Sequence, residues 1–238
     1  MKIIRFFVTS LVLVSSIQLG SAFSIKTAGI DELFNTIEVS YSPVKLNQKF
    51  ERYTRTIDEN AFSLNYNQAL QISYYYPLYV QYGAGLQYTF HTNKDQDDVK
   101  YNGTYYSAGF ITRSSIVTAN LPVNIMYCFT IPNVDINIMP YAGLNFSWNI
   151  AALQNYTEWS SVDGEKKSTK EKTNMLKKED MGGHPFKRVE FGWQTGAKVS
   201  YGRLLFGVAY QGPFTNLQVY DDYKLRRSQV NISLGIIF

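Results

Sequence analysis

One cysteine, two histidines and only 18% charged residues in a chain of 238 leave few routes to side-chain chemistry. Cys128 alone excludes an intramolecular disulfide framework and a cysteine-rich zinc site. His91 and His184 are too few for most metal chemistry, no metal-ligand spacing is present, and no phosphate-binding glycine loop opens a helix after a strand. No cofactor is therefore expected. Charge of one sign is also missing. Lys+Arg 23 stand against Asp+Glu 19, too even a balance for an electrostatic nucleic-acid binder. Beyond the first two dozen residues no stretch offers ~18 consecutive apolar residues, which excludes a spanning helix. Hydrophobic residues still make up 45% of the chain, too many for a disordered one. Aromatic residues are abundant: Tyr 19, Phe 15 and Trp 3.

The N-terminus reads as an export signal. Lys2 and Arg5 form a basic start, Phe6 to Val14 is apolar apart from Thr9 and Ser10, and Gly20-Ser21-Ala22 ends a small-residue segment. Residues 1–22 are thus expected to be a signal peptide cleaved after Ala22, and 23–238 a single barrel domain. The apolar run is too short for an anchor, and no cysteine lies near the cleavage site to suggest a lipoprotein.

What the remaining chain has in quantity is strict alternation. Val80, Tyr82, Ala84, Leu86, Tyr88 and Phe90 alternate with Gln81, Gly83, Gly85, Gln87, Thr89 and His91. A period of two puts the two sets on opposite faces of a strand. Leu121 to Phe129, Val189 to Tyr201 and Val230 to Phe238 repeat the pattern. Eight such segments are predicted, at about 35–43, 63–76, 79–91, 115–129, 135–149, 187–201, 203–211 and 227–238. Short turns at 76–78, 130–134 and 201–203 take turns with long polar stretches at 44–62, 92–114, 150–186 and 212–226, read as loops. That rhythm belongs to an up-and-down barrel with all its short turns at one rim. The 150–186 stretch holds six acids and six bases and reads as a solvated mixed-charge loop.

The polarity of the two faces points to lipid. One parity carries Leu70, Ile72, Leu86, Leu121, Val123, Phe206, Val208, Ile232 and Leu234; the other carries Gln71, Gln81, Gln87, Asn120, Asn124, Asn145, Gln194 and Asn231. A membrane barrel needs an apolar outside and tolerates a polar lumen, whereas a soluble barrel usually reverses this. Aromatics of the apolar parity cluster at both ends: Tyr74, Tyr76, Tyr127, Phe129, Tyr201 and Phe238 by the short turns, and Tyr88, Phe90, Phe146, Trp148, Phe191 and Trp193 by the long stretches. Two such belts suit two interfaces. Gly83, Gly85, Gly143, Gly192, Gly196, Gly207 and Gly235 share the inward parity, where a narrow barrel is crowded. Pro122 and Pro140 are the objection; each removes a ladder donor and implies a bulge or a break. The fold class expected is all-β, an eight-stranded antiparallel up-and-down transmembrane β-barrel.

The chain at this point resembles the small outer-membrane β-barrel proteins of Gram-negative bacteria, particularly the porin-family type common in Bacteroidetes. The likeness rests on the export signal, the alternating segments, the stretch Ala119 to Phe129 with its Leu121-Pro122-Val123, the following Pro140-Tyr141-Ala142-Gly143, and the terminal Phe238. It implies insertion in the outer membrane with both termini periplasmic and the long stretches outside the cell. It also implies that barrel-assembly machinery reads the segment ending in Phe238.

Parity directs Glu38, Arg188, Glu190 and Lys198 toward the lumen. Burial of an unpaired charge is costly, so an internal network of ion pairs and hydrogen bonds plugging the barrel is expected, with these four as members. Catalysis has little to stand on. Outer-membrane lipid A acylases and deacylases need a His with a nearby Ser or acid; His91-Thr92-Asn93 departs from the His-x-Ser arrangement, and His184 lies in Gly182-Gly183-His184-Pro185, a turn. The functional expectation is a monomeric, non-enzymatic envelope protein with a structural or interaction role: integrity, adhesion, or a subunit of a secretion or transport assembly. A narrow porin-like channel and a lipid-modifying enzyme remain the alternatives. Expected partners are outer-membrane lipid, the assembly machinery and an envelope or extracellular protein, with no nucleic acid.

Overall fold

A computed structural model describes residues 33–238 except 102–103, 132–133, 163–164 and 220–222, with the side chains of 98–105 also left aside. The expected signal peptide lies outside the described residues. Every described strand runs antiparallel to its neighbours: β1 (Leu33–Phe50), β2 (Thr54–Gln71), β3 (Leu78–Tyr101), β4 (Thr104–Tyr127), β5 (Phe129–Ile131), β6 (Ile136–Val162), β7 (Glu165–Asn174), β8 (Val189–Tyr201), β9 (Leu204–Pro213), β10 (Gln218–Val219) and β11 (Tyr223–Ile237). Eight of them form the order β1-β2-β3-β4-β6-β8-β9-β11, and β11 pairs back onto β1 through Thr36↔Ile237 to Phe50↔Tyr223. The sheet has no edge at this level. The three short strands lie off the ring: β5 and β7 pair with β6, and β10 with β11. The chain is an eight-stranded antiparallel up-and-down barrel.

Its polarity is inside-out. Val39, Leu64, Leu86, Val123, Phe206 and Leu234 stand exposed on the outer wall, Leu234 at 66%. Gln81, Asn124, Asn137, Asn145 and Ser200 are buried in the lumen, each at 2% or less. Both ends of the ring lie at the rim that carries the short turns. Asn35 and Phe238 exchange backbone hydrogen bonds of 2.9 and 3.0 Å there, and Ile237 donates to Arg203 in the adjacent turn. In that two-residue turn Gly202 has φ +54°, a left-handed conformation that glycine adopts without steric penalty.

The strands run well past the predicted limits. β3 and β4 have 24 residues each and β6 has 27, against about 10 needed to cross a bilayer. The stretches 44–62, 92–114 and 150–186 are therefore largely hairpins: β1 pairs β2 as far as Lys49↔Thr54, β3 pairs β4 as far as Tyr101↔Thr104, and β6 pairs β7 as far as Val162↔Glu165. At the other rim β2 stops at Gln71 and Tyr74 to Tyr76 belong to the turn.

Neither proline makes a bulge. At Pro122 the β3–β4 ladder skips two pairs, between Tyr82↔Val123 and Gly85↔Asn120, and resumes in the same register. Pro140 stays paired with Ala197 on its β8 side. On its other side two pairs are missing between Met126↔Tyr141 and Phe129↔Ile138, while Cys128 N–H donates across to β3's side, to the Pro77 carbonyl. The register shift on β4 comes elsewhere, between Val117 and Thr118, where Ile150 is the extra residue of β6. Lumen crowding explains the inward glycines: a Cβ on Gly143 would lie 2.1 Å from the Val123 carbonyl oxygen.

Candidate functional site

The lumen is layered. At the short-turn end Phe34, Ala69, Tyr79, Met126, Cys128, Met139 and Leu205 pack into an apolar floor, and Met126 and Met139 are wholly buried. Above it lies the first ion pair. Lys198 Nζ stands 2.5 Å from Glu38 Oε1, which also accepts from Thr36 Oγ1 at 2.8 Å and Asn67 Nδ2 at 2.9 Å. Lys198 donates onward to Gln81 Oε1, which accepts from Asn124, which in turn accepts from Gln194. Opposite charges buried together offset their desolvation only when such hydrogen bonds complete the shell, and here β1, β2, β3, β4 and β8 supply it. The remaining space between this layer and the next is a cavity of about 70 Å³, room for a few waters.

A glutamine–asparagine layer follows, in which Gln229 bridges Gln87, Gln211 and Asn231. The second ion pair caps it. Arg227 Nη2 lies 3.1 Å from Glu190 Oε1, and Asn149 joins them, donating to Glu190 at 2.7 Å and accepting from Thr118 at 2.9 Å. Over this pair lies a second apolar cluster, of Leu46, Ile116, Ala152, Met175, Phe186, Leu217 and Leu225. Met175, Phe186 and Leu217 come from the connecting segments that fold back over the mouth. Phe186 is held there by its N–H to the Met175 carbonyl, and Leu217 by its N–H to the Leu225 carbonyl. The polar lumen is thus stoppered at both ends by apolar side chains.

Of the four charges expected inside, Glu38, Lys198 and Glu190 face the lumen, in two separate layers rather than one. Arg188 does not. It precedes β8, where the chain bends, and its side chain is exposed; only its carbonyl takes part, accepting from Asn149 N–H. The partner of Glu190 is Arg227. Its parity matches that of Gln229 and Asn231, a signal that was present at the first residue of the predicted last strand. Glu59 was hidden in the stretch read as a loop. The apolar wall of β2 ends at Phe62, so Glu59 lies above it, buried and facing inward. Burial raises its carboxyl from the ordinary value, against the pull of Arg227 and His91 and a hydrogen bond from Ser114.

His91 is paired with Ser114 across β3 and β4 and lies close to Glu59, whereas His184 lies in the irregular segment before β8. The Nδ1 atoms contact the Asp58 and Val219 carbonyl oxygens. Among the described residues no three His, Cys, Asp or Glu side chains converge as a metal site would require.

Closed pairing, inside-out polarity and a filled lumen define the class as a small inside-out β-barrel. No protein-family model matches the chain, and no curated protein matches it. Among solved structures it is similar to Ail, the attachment invasion locus protein of Yersinia pestis, at 12% identity over 87% of this chain and 99% of that one, with a TM-score of 0.33. Neisserial surface protein A matches at 14% identity over 85% and 97%, TM-score 0.30. The N-terminal β-barrel domain of Pseudomonas aeruginosa OprF matches at 10% over 85% and 97%, TM-score 0.28. All three are small barrels; the architecture of this chain rests on its own strand pairing. The narrower resemblance to the Bacteroidetes type finds no support among them.

Proposed function

We propose that this protein is a non-conducting, non-enzymatic barrel of the Gram-negative outer membrane that acts through its surface hairpins. Its role is structural or adhesive, or that of a subunit in a larger envelope assembly. The observation that carries the reading is the stoppered lumen inside an apolar wall. A continuous file of water has to pass Met126 and Met139 at one end and Ile116, Met175 and Leu217 at the other, all at 3% exposure or less. The short-turn rim, where β1 and β11 meet, faces the periplasm in this reading, and the long hairpins face outward. Residues 1–22 act as the export signal, and the β11 segment is what the assembly machinery engages.

The test is made on the outer-membrane fraction of an expressing strain. The expected result is a boiling-dependent gel shift of the extracted protein, followed by no unitary conductance in a planar bilayer. Steady conductance would replace this reading with a narrow porin. Altered lipid A in the overexpressing cells would replace it with a lipid-modifying enzyme.

A further inference from the structure

Beyond the aromatic belt, β3, β4, β6 and β7 continue as a four-stranded sheet in that order, each residue in register with its neighbour. Directly opposed residues share a face, so the two faces of this extension are fixed by pairing. One face continues the outer wall above Phe90, Val117 and Trp148; the other continues the lumen side. Their charges are segregated. The exterior face carries Lys94, Arg113, Lys166, Lys170 and Lys172, all exposed, and no acid among its described side chains. The lumen-side face carries Asp95, Asp97, Glu158, Glu165 and Glu171 against Lys167. The even balance of 150–186 hides this partition, because neighbouring residues of opposite sign point to opposite faces.

The five exterior cations have uncharged cross-strand partners: Lys94 faces Ile111, Arg113 faces Thr92 and Asn155, Lys166 faces Ser161, Lys170 faces Thr157 and Lys172 faces Asn155. None forms an ion pair with a described residue. The face is also concave. A depression of about 300 Å³ is bordered by Arg113, Lys170 and Lys172 together with Glu171, and one of about 320 Å³ by Lys94, Lys166 and Trp159 together with Asp95; Ile111 lines both. Lys166 lies 4.5 Å over the Trp159 ring.

We propose that this face binds the phosphorylated sugar headgroups of a glycolipid in the surrounding leaflet. The proposal rests on the reading of the barrel as lipid-embedded. The occupant follows from continuity: the face is the same wall that meets the acyl chains below. At ~3.4 Å per residue, the cations begin about 7 Å of strand above the Phe90–Ser115–Leu153 row and reach about 27 Å at Lys166. That range suits a headgroup several sugars deep, with phosphates at more than one level. Two open depressions flanked by cations, one with an aromatic floor, match sugars bearing phosphate. The same wall across β11 and β1 adds Lys45, Lys49, Lys224 and Arg226 against Asp58.

The experiment uses the full-length protein in detergent or nanodiscs with three probes: lipopolysaccharide with a phosphorylated core, the same lipid dephosphorylated, and its deacylated soluble headgroup. The intact lipid is expected to bind about tenfold or more tightly than the dephosphorylated one, with affinity falling as salt rises. Neutralising the exterior face (Lys94→Gln, Arg113→Gln, Lys166→Gln, Lys170→Gln and Lys172→Gln) is expected to lower affinity about tenfold or more. The pair Lys170→Gln and Lys172→Gln alone should lower it severalfold. Asp97→Asn, Glu158→Gln and Glu165→Gln on the other face should leave it within about twofold. Equal binding of the dephosphorylated lipid, or an unchanged five-site variant that keeps its gel shift, overturns the proposal while leaving the membrane reading intact. Preference for the soluble headgroup over the intact lipid overturns the lipid assignment in favour of a soluble polyanion. A wild-type protein that does not insert in lipid overturns both.

Discussion

β4 follows two rules along one strand. In its lower half Leu121, Val123 and Ile125 face out and Asn120, Asn124 and Met126 face in. In its upper half, polar residues stand on both faces beside Phe110 and Ile111, and across the strands paired there the charges divide by face, Lys94, Arg113, Lys170 and Lys172 on one and Asp95, Asp97, Glu158 and Glu171 on the other. The backbone ladder is continuous through the change. The surroundings are what differ: below, one face is an exposed apolar wall and the other a packed lumen; above, both faces are exposed or half-buried. Period two persists in either regime, but only the lower one writes it as hydropathy.

The comparison breaks most strongly in the lumen. Lys198→Ala leaves Glu38 buried without its cation and is expected to cost about 3–5 kcal/mol, read as a lower temperature for the gel shift. Glu38→Leu with Lys198→Met should recover much of that loss, because two well-packed apolar groups need no mutual compensation. The outer wall comes next. Val123→Arg, in the middle of the exterior band, should cost about 2–4 kcal/mol in a bilayer, measured by urea titration in lipid. The same residue introduced at Thr157, on the exterior face of the upper sheet, should stay within about 0.5 kcal/mol. Equal costs at the two sites would erase the distinction between the regimes. Gly143→Ala should cost about 1–3 kcal/mol, since its Cβ meets backbone that cannot turn away. The smallest effect is at Glu59, where the lumen rises above the apolar wall. Its raised carboxyl means that the folded protein holds this proton more tightly than the unfolded chain does. Stability from this group is therefore present in acid and is lost as pH rises through its raised folded value. Glu59→Gln should flatten that dependence and slightly stabilise the protein at neutral pH; a steeper profile would refute the assignment.

The two regimes also set what was legible in advance. The eight-stranded ring and the inward positions of Glu38, Lys198 and Glu190 follow from hydropathy alternation in the lower half. The hairpin of β6 and β7 did not, because Glu165 to Asn174 is polar on both faces and looks like a loop to any polarity rule. Arg188 and Arg227 were lost to strand ends. Arg188 stands one residue before β8, where parity no longer holds, and Arg227 opens the predicted 227–238 segment although β11 begins at Tyr223. The outer stopper was illegible for a different reason: Phe186 and Leu217 lie in irregular segments, where no period says which way a side chain points. The ion pairs themselves join strands up to 160 residues apart, a proximity that only ring closure creates.

That closure constrains time as well as space. Leu33–Phe50 finds its second partner only in Tyr223–Ile237, so a growing chain carries an unsatisfied strand edge until almost everything else has been made. Contacts of such long sequence separation form slowly, and a bare edge meanwhile invites pairing with other chains. The seam between β1 and β11 is therefore expected to be the kinetic bottleneck of folding. Pro substitution at Leu234, which removes a ladder donor there, should slow acquisition of the compact form more than the same change far from the seam.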